Sequence, residues 1–292
     1  MVVLSAIGAI KKPGIIIPFI IGITIALTLY FTIKWWGFLV IFPWIGLSIS
    51  LGNFINEQLP NNRKGLGRRI SLVMILPALL LFVPIVNNEN FQLEGVLLLV
   101  LIGYFSKGFI HYAVAKLFGP LIWGRGFCGW ACWTAAVLEW LPVREKGQIP
   151  VGLKNMRYIT LGISILLPLF LVFIVSYNVR TDYLSRWEMV WMFVGNGIYY
   201  LLAIPLAFIF KDRRAFCKIA CPVGLIMKIP TRFSLIKTRP SGKRCLECGR
   251  CNQNCPMDVD VMSYIKQGRK VMDTECINCG ECKNACPAGA IR

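Results

Sequence analysis

Two runs near the C-terminal end decide the reading: Cys245-Leu-Glu-Cys248-Gly-Arg-Cys251-Asn-Gln-Asn-Cys255-Pro256 and Cys276-Ile-Asn-Cys279-Gly-Glu-Cys282-Lys-Asn-Ala-Cys286-Pro287. Each cysteine recurs 31 residues later, so the tail is an internal duplication. Three close cysteines wrap one face of an iron–sulfur cubane. The fourth is carried to the partner cubane, because the proline after it redirects the chain. The spacing therefore assigns Cys245, Cys248, Cys251 and Cys286 to one [4Fe–4S] cluster, and Cys276, Cys279, Cys282 and Cys255 to another. Two zinc sites are the alternative, but zinc sites use paired C-x2-C knuckles rather than triplets followed by C-P.

This spacing is the signature of bacterial two-cluster ferredoxins. The segment carrying it, 243–292, is too short to bury a large core unaided, so its metal clusters must supply much of its folding energy. A linker, 230–242, joins it to an apolar region, 1–229. Over the whole chain 56% of residues are hydrophobic and 16% charged, with a mean hydropathy of +0.62. A soluble domain carries about 25% charged residues. The fold expected is an α-helical polytopic membrane protein of about six transmembrane helices with a small C-terminal α+β two-cluster ferredoxin-like domain. The spans are read at Ile15–Phe31, Trp36–Leu51, Ile70–Val86, Val96–Phe118, Met156–Tyr177 and Glu188–Phe210. The second is short and carries Pro43 and Gly46, so a re-entrant hairpin is its alternative.

The net charge of +18 admits nucleic acid as a partner, but the apolar runs explain it better. Lys/Arg-rich loops mark the cytoplasmic side of a membrane protein. Lys11, Lys12, Arg63, Lys64, Arg68, Arg69, Arg125, Arg144, Lys146, Lys154 and Arg157 fall on one side. Lys34, Arg180, Arg186, Glu89, Glu94 and Asp182 fall on the other. Both termini are thus expected in the cytoplasm of a cell whose inner membrane holds the chain. No A-x-A-like cleavage site follows the first apolar run, and the Arg68–Arg69 pair is internal, not an export signal. The twelve cysteines sit in clusters of metal-ligand spacing, not in a secreted disulfide framework.

Two further motifs follow membrane helices: Arg125-Gly-Phe-Cys128-Gly-Trp-Ala-Cys132 and Arg214-Ala-Phe-Cys217-Lys-Ile-Ala-Cys221. They share R-x-F-C-x-x-A-C, which implies a repeat related by a pseudo-two-fold axis. On a helix, residues i and i+4 share a face, so each pair would aim two sulfurs the same way. Together the four thiolates suit a third [4Fe–4S] cluster. A dithiol relay and small buried packing residues are the other readings.

Paired C-x3-C motifs followed by a two-cluster tail resemble the NapH/NosR/MauN family of polyferredoxin-type membrane proteins. The likeness is nearest to the NapH type, the quinol-dehydrogenase membrane component of periplasmic nitrate reduction systems. It runs from about Gly124 to the C-terminal end. The chain departs from the family pattern twice: Cys221-Pro222 keeps the family's C-x3-C-P, but Cys132 is followed by Trp133, and six spans exceed the usual core. The resemblance implies electron exchange between a quinone pool and a partner redox subunit.

Three residues are candidates for a quinone site near the cytoplasmic face: Lys107, His111 and Glu139. Ionisable residues within a span are costly and point to function. The bland readings are a snorkelling lysine, a satisfied histidine and an interfacial acid. His111 is the single histidine, so the chain cannot supply two axial histidines to a haem. Trp123, Trp130, Trp133 and Trp140 fit an interfacial belt. The function expected is a membrane-bound iron–sulfur electron-transfer subunit, of uncertain enzymatic status by itself. A maturation factor that reduces a metal ion and a redox sensor are the alternatives.

Overall fold

Apolar runs of 20 residues or more form helices because only internal hydrogen bonding satisfies a backbone in lipid. The computed structural model describes residues 12–60, 63–143, 147–177 and 186–292. Lys11, Arg144, Lys146, Arg180 and Asp182, which entered the charge reading, lie outside them. In chain order the helices are α1 (Pro13–Ile33), α2 (Phe38–Gln58), α3 (Gly65–Asn87), α4 (Leu93–Leu101), α5 (Lys107–Tyr112), α6 (Gly119–Trp123), α7 (Gly126–Trp130), α8 (Trp133–Leu138), α9 (Val151–Phe173), α10 (Arg186–Ile209), α11 (Ala215–Ile219) and α12 (Pro222–Thr231). The tail adds α13 (Arg250–Gln253), α14 (Val261–Lys266) and α15 (Glu281–Ala285).

Five of these, α1, α2, α3, α9 and α10, are long and apolar enough to cross a membrane. The second expected span is thus a full helix of 21 residues, not a hairpin. Its glycine is there for packing. A Cβ at Gly46 would strike the Pro18 carbonyl, and one at Gly22 the Phe42 carbonyl, so α1 and α2 meet backbone to backbone. In α3, Pro77 is followed by a π segment, Ala78–Phe82, where the lost amide bond widens the turn.

The fourth expected span, Val96–Phe118, is corrected. It fuses two elements. After α3 the chain turns back into the bundle as an extended stretch in which Glu89, Asn90, Phe91 and Gln92 are all buried. Then α4 climbs outward again. Its start is held at mid-depth, where Glu94 accepts hydrogen bonds from Ser164 of α9 (2.5 Å) and Tyr199 of α10 (3.1 Å). Its end packs on Leu171, Val172 and Tyr177. Gly103, at φ 75°, closes the helix in a Schellman turn, with Tyr104 N–H on the Leu99 carbonyl at 2.9 Å. Re-entrant backbone is tolerated at membrane depth only when buried in protein, which is the case here. The polar residues Glu89, Asn90 and Gln92 give no sign of this burial in the sequence. The return crossing is the shorter series α5, a π segment Ala113–Phe118, and α6.

The bundle has two ends. At one, Lys107 lies over Trp35, which joins α1 to α2. At the other sit Arg68, Arg125, Arg157 and Arg214, and the tail docks there. The α+β expectation for the tail shrinks to one antiparallel bridge among the described residues, Pro240 with Ile291, because the paired segments are too short for a ladder. The linker is not free. Leu235 and Ile236 donate backbone hydrogen bonds to the Leu121 and Ile122 carbonyls (3.0 and 2.8 Å), and Val271 to Thr238 (2.9 Å).

Candidate iron–sulfur centres

The tail's duplication is visible in its backbone. Glu247 and Asn278, Gly249 and Gly280, and Asp258 and Gly289 all have positive φ, each pair 31 residues apart. Left-handed residues alternating between cysteines turn the chain tightly and aim backbone N–H groups inward, as anion-binding nests do. Backbone N–H groups donate to two cysteine sulfurs at the same register: Val259 to Cys255 (3.4 Å) and Ala290 to Cys286 (3.3 Å). Cys245, Cys248, Cys251 and Cys286 line one pocket with Met262, Ile265 and Ile291. Cys255, Cys276, Cys279 and Cys282 are mutual electrostatic neighbours in one apolar cluster. These are the two sets that the spacing assigns. The donor set, the apolar surround and the inward N–H groups fit cubanes.

The membrane motifs form a second duplication of a different kind. Helix α7 ends at Trp130 and α11 at Ile219. Ala131 (φ −134°, ψ 0°) and Ala220 (φ −126°, ψ −15°) break the path, and Cys132 and Cys221 begin the next helices as N-caps. The expectation of one continuous helical face is therefore corrected: a hinge, not i,i+4 spacing, orients each pair. The buried alanine leaves room for that hinge. Cys128, Cys132, Cys217 and Cys221 still come together, each within the electrostatic field of the others. Burial pushes the Cys217 thiol up to about 11 and Cys221 to about 12.

Buried ion pairs hold this set. Glu139 takes Arg68 (both oxygens, 3.1 Å) and Arg214 (2.6 and 2.9 Å), with Arg69 at 3.7 Å. Burial alone would raise the Glu139 pKa, but Arg68 and Arg214 outweigh it and hold it well below the carboxylate range. The same arginines reach the motif backbone: Arg68 donates to the Gly129 carbonyl (3.1 Å) and Arg214 to that of Cys128 (3.0 Å). Arg125, the first motif's arginine, pairs with Glu275 of the tail. Glu275 also takes Arg157 (2.7 Å) and Lys228 (2.5 Å). Asp258 takes Lys218 (2.8 Å) and Lys154 (3.3 Å), and Glu281 takes Arg68 (3.2 Å). Three tail carboxylates thus sit on the basic end of the bundle.

Besides the Arg125–Glu275 pair, the tail packs closely on the first motif at Gly129 and Trp130. A Cβ on Gly129 would run into the Ile277 carbonyl and approach Cys279, and Trp130 Nε1 donates to the Asn278 carbonyl at 3.0 Å. The second tail set therefore adjoins the membrane thiols. The first set, with exposed Cys248 and Leu246, forms the far tip.

The three quinone-site candidates are not brought together. Lys107 lies at the opposite end of the bundle, 5.4 Å over the Trp35 ring. His111 is buried between Phe42 and Phe91, with both ring nitrogens unpartnered. Glu139 is consumed by arginines. The expected slot between them fails because α5 starts at the far end, once α4 is re-entrant. Sequence reading passed over Lys116, which is buried with its ammonium over Phe127 (4.1 Å), Trp133 (5.0 Å) and Tyr112 (5.7 Å). The signal was present: a second lysine inside an apolar span. Trp133 is no belt residue; it is buried and donates to Asn196 (2.7 Å).

A 4Fe–4S dicluster domain matches residues 244–291, and a 4Fe–4S binding domain matches residues 112–147 and 196–240, each piece holding one C-x3-C motif. The chain is thus a helical protein with five helices long and apolar enough to cross a membrane and with 4Fe–4S ferredoxin-type regions. Its homologues are MauN, NosR and YccM, consistent with the NapH/NosR/MauN-type family. It is 26% identical over 174 residues to YccM of Escherichia coli K12, described as a candidate electron transport protein (52% of this chain, 47% of the relative). It is 28% identical to the methylamine utilization ferredoxin-type protein MauN of Methylobacillus flagellatus (47% and 50%). It is 28% identical to the regulatory protein NosR of Pseudomonas aeruginosa (51% and 22%). The chain spans about half the length of the first two and about a fifth of the third. No solved structure matches.

Proposed function

We propose that the chain is a membrane-bound electron-transfer subunit working between the quinone pool and a partner oxidoreductase. Cys245, Cys248, Cys251 and Cys286 hold one [4Fe–4S] cluster, Cys276, Cys279, Cys282 and Cys255 a second, and Cys128, Cys132, Cys217 and Cys221 a third. The clusters supply reversible one-electron chemistry; the chain sets their order, burial and hydrogen bonding. The observation that carries the reading is the seat of Gly129 on Ile277 and Cys279. It makes the membrane thiols and the tail thiols neighbours, with the tip free for a partner. The basic end of the bundle faces the cytoplasm of an inner membrane, following the charge excess.

Iron content tests the assignment. Anaerobically prepared protein should hold about twelve irons, four per cubane, and Cys128→Ser or Cys217→Ser about eight. About eight in fully loaded wild type would reject the third cluster. A short-chain quinol should reduce part of the clusters that dithionite reduces; no quinol reduction rejects the quinone pool as partner. Reporter fusions after Arg292 should read cytoplasmic.

A further inference from the structure

Beside Cys282, between the tail and the linker, lies a cavity of about 400 Å³. Lys237, Arg239, Lys270, Lys283 and Arg292 line it, and no Asp or Glu does. None of the five forms an ion pair among the described residues. The fold forces these cations together. Arg239 and Arg292 exchange both backbone hydrogen bonds (3.0 and 2.8 Å), so they stand directly opposite. The bond from Val271 to Thr238 draws Lys270 toward Lys237. Like charges set opposite one another destabilise a pairing. An arrangement of five cations in one concavity is relieved by an anion between them.

The rim says which anion. Trp123, Leu235 and Ile236 form the cavity's apolar edge. The linker's hydrogen bonds to Leu121 and Ile122 fix that edge to the end of α6, a return-crossing helix. Leu235 is 76% exposed, and exposed Phe233, Ile229 and Ile122 continue the surface. A basic pocket opening onto an apolar strip at the bundle's end has the form of an amphiphile's site. A free phosphate compound would use the cations and leave the strip idle.

We propose that this cavity binds the phosphate headgroup of an anionic phospholipid, with its acyl chains along the strip from Leu235 to Ile122. The inference touches the proposed cluster only at Cys282, which lies on the cavity wall, and its test reads lipid binding apart from iron content. A basic pocket on a membrane protein's interfacial face is a known type of lipid headgroup site. The bound phosphate would lie beside Cys282 and brace the linker and tail together.

Native mass spectrometry of the full chain in detergent tests this, with phosphatidylglycerol and phosphatidylcholine of identical acyl chains as probes. Phosphatidylglycerol should bind about tenfold more tightly or better, since the lining cations favour its net negative charge and the zwitterionic headgroup carries none. Arg239→Gln with Lys270→Gln should abolish that preference at unchanged iron content. Equal binding of the two lipids by wild type overturns the proposal, and so does an undiminished preference in an assembled double variant. If the variant does not assemble, salt gives the reading: the wild-type preference should shrink at high ionic strength. A preference indifferent to salt overturns it. Inorganic phosphate is the remaining probe. Failure of millimolar phosphate to displace phosphatidylglycerol supports the lipid; displacement assigns the cavity to a soluble phosphate ligand and overturns it.

Discussion

The tail and the membrane half each carry a duplicated cysteine motif, yet different forces hold the two. In the tail the order is local. Left-handed residues and N–H···S bonds recur every 31 positions, and each loop shapes its own thiol set. In the membrane half the order is borrowed. Cys128 and Cys217 are positioned by Arg68, Glu139 and Arg214, which come from three separate elements. A site of the first kind fails when a ligand is lost. A site of the second kind should also fail when a charge far away in sequence is lost.

Cys279→Ser should have the largest effect. On the proposed assignment it removes a ligand whose metal supplies folding energy to a segment with little core. About four irons should go and the tail should become protease-sensitive. Full iron with wild-type resistance would end the claim that the tail's order depends on metal.

Glu139→Ala comes next. It leaves Arg214 buried without its anion and Arg68 with Glu281 alone, a loss of about 3–5 kcal/mol. Thermal unfolding in detergent should show it, and iron should fall at the membrane set before the tail sets. Equal loss from all three sets would erase the contrast between local and borrowed order.

Glu275→Gln is the mildest. Burial works against the Glu275 carboxylate, but Arg125, Lys228 and Arg157 outweigh it and hold its pKa at about 2. Because the folded value is depressed, the stabilisation is full above the unfolded carboxylate value of about 4.3. It fades as pH falls toward about 2. The gap between wild type and variant in tail protection, about 1–3 kcal/mol at pH 7, should narrow as the pH drops below 4. An equal gap at pH 7 and pH 3 would mean that Glu275 acts by shape alone.

How much of this was legible follows from the same contrast. Which tail cysteines come together could be read because spacing alone encodes it. The C-x3-C cysteines could be singled out because the motif repeats, but not their hinge, since the conformation of Ala131 and Ala220 leaves no mark beyond residue size. Glu139 read as an interfacial acid because its partners lie 71 and 75 residues away. The charge excess was read as a topology signal, whereas Arg125, Arg157, Lys218 and Lys228 also seat the tail. The re-entrant stretch was missed because Glu89, Asn90 and Gln92 are polar, and depth is a property of neighbours that composition does not carry.

The pinned linker changes what kind of conductor this molecule is. With Leu235 and Ile236 tied to α6, and three carboxylates clamped on the bundle, the tail has no hinge on which to swing. Carriers that travel between donor and acceptor on a tether trade speed at each contact against time in transit. A chain built this way has no transit. On the proposed function its rate would be fixed by spacing set at folding, and the moving party would be the partner that arrives at Cys248.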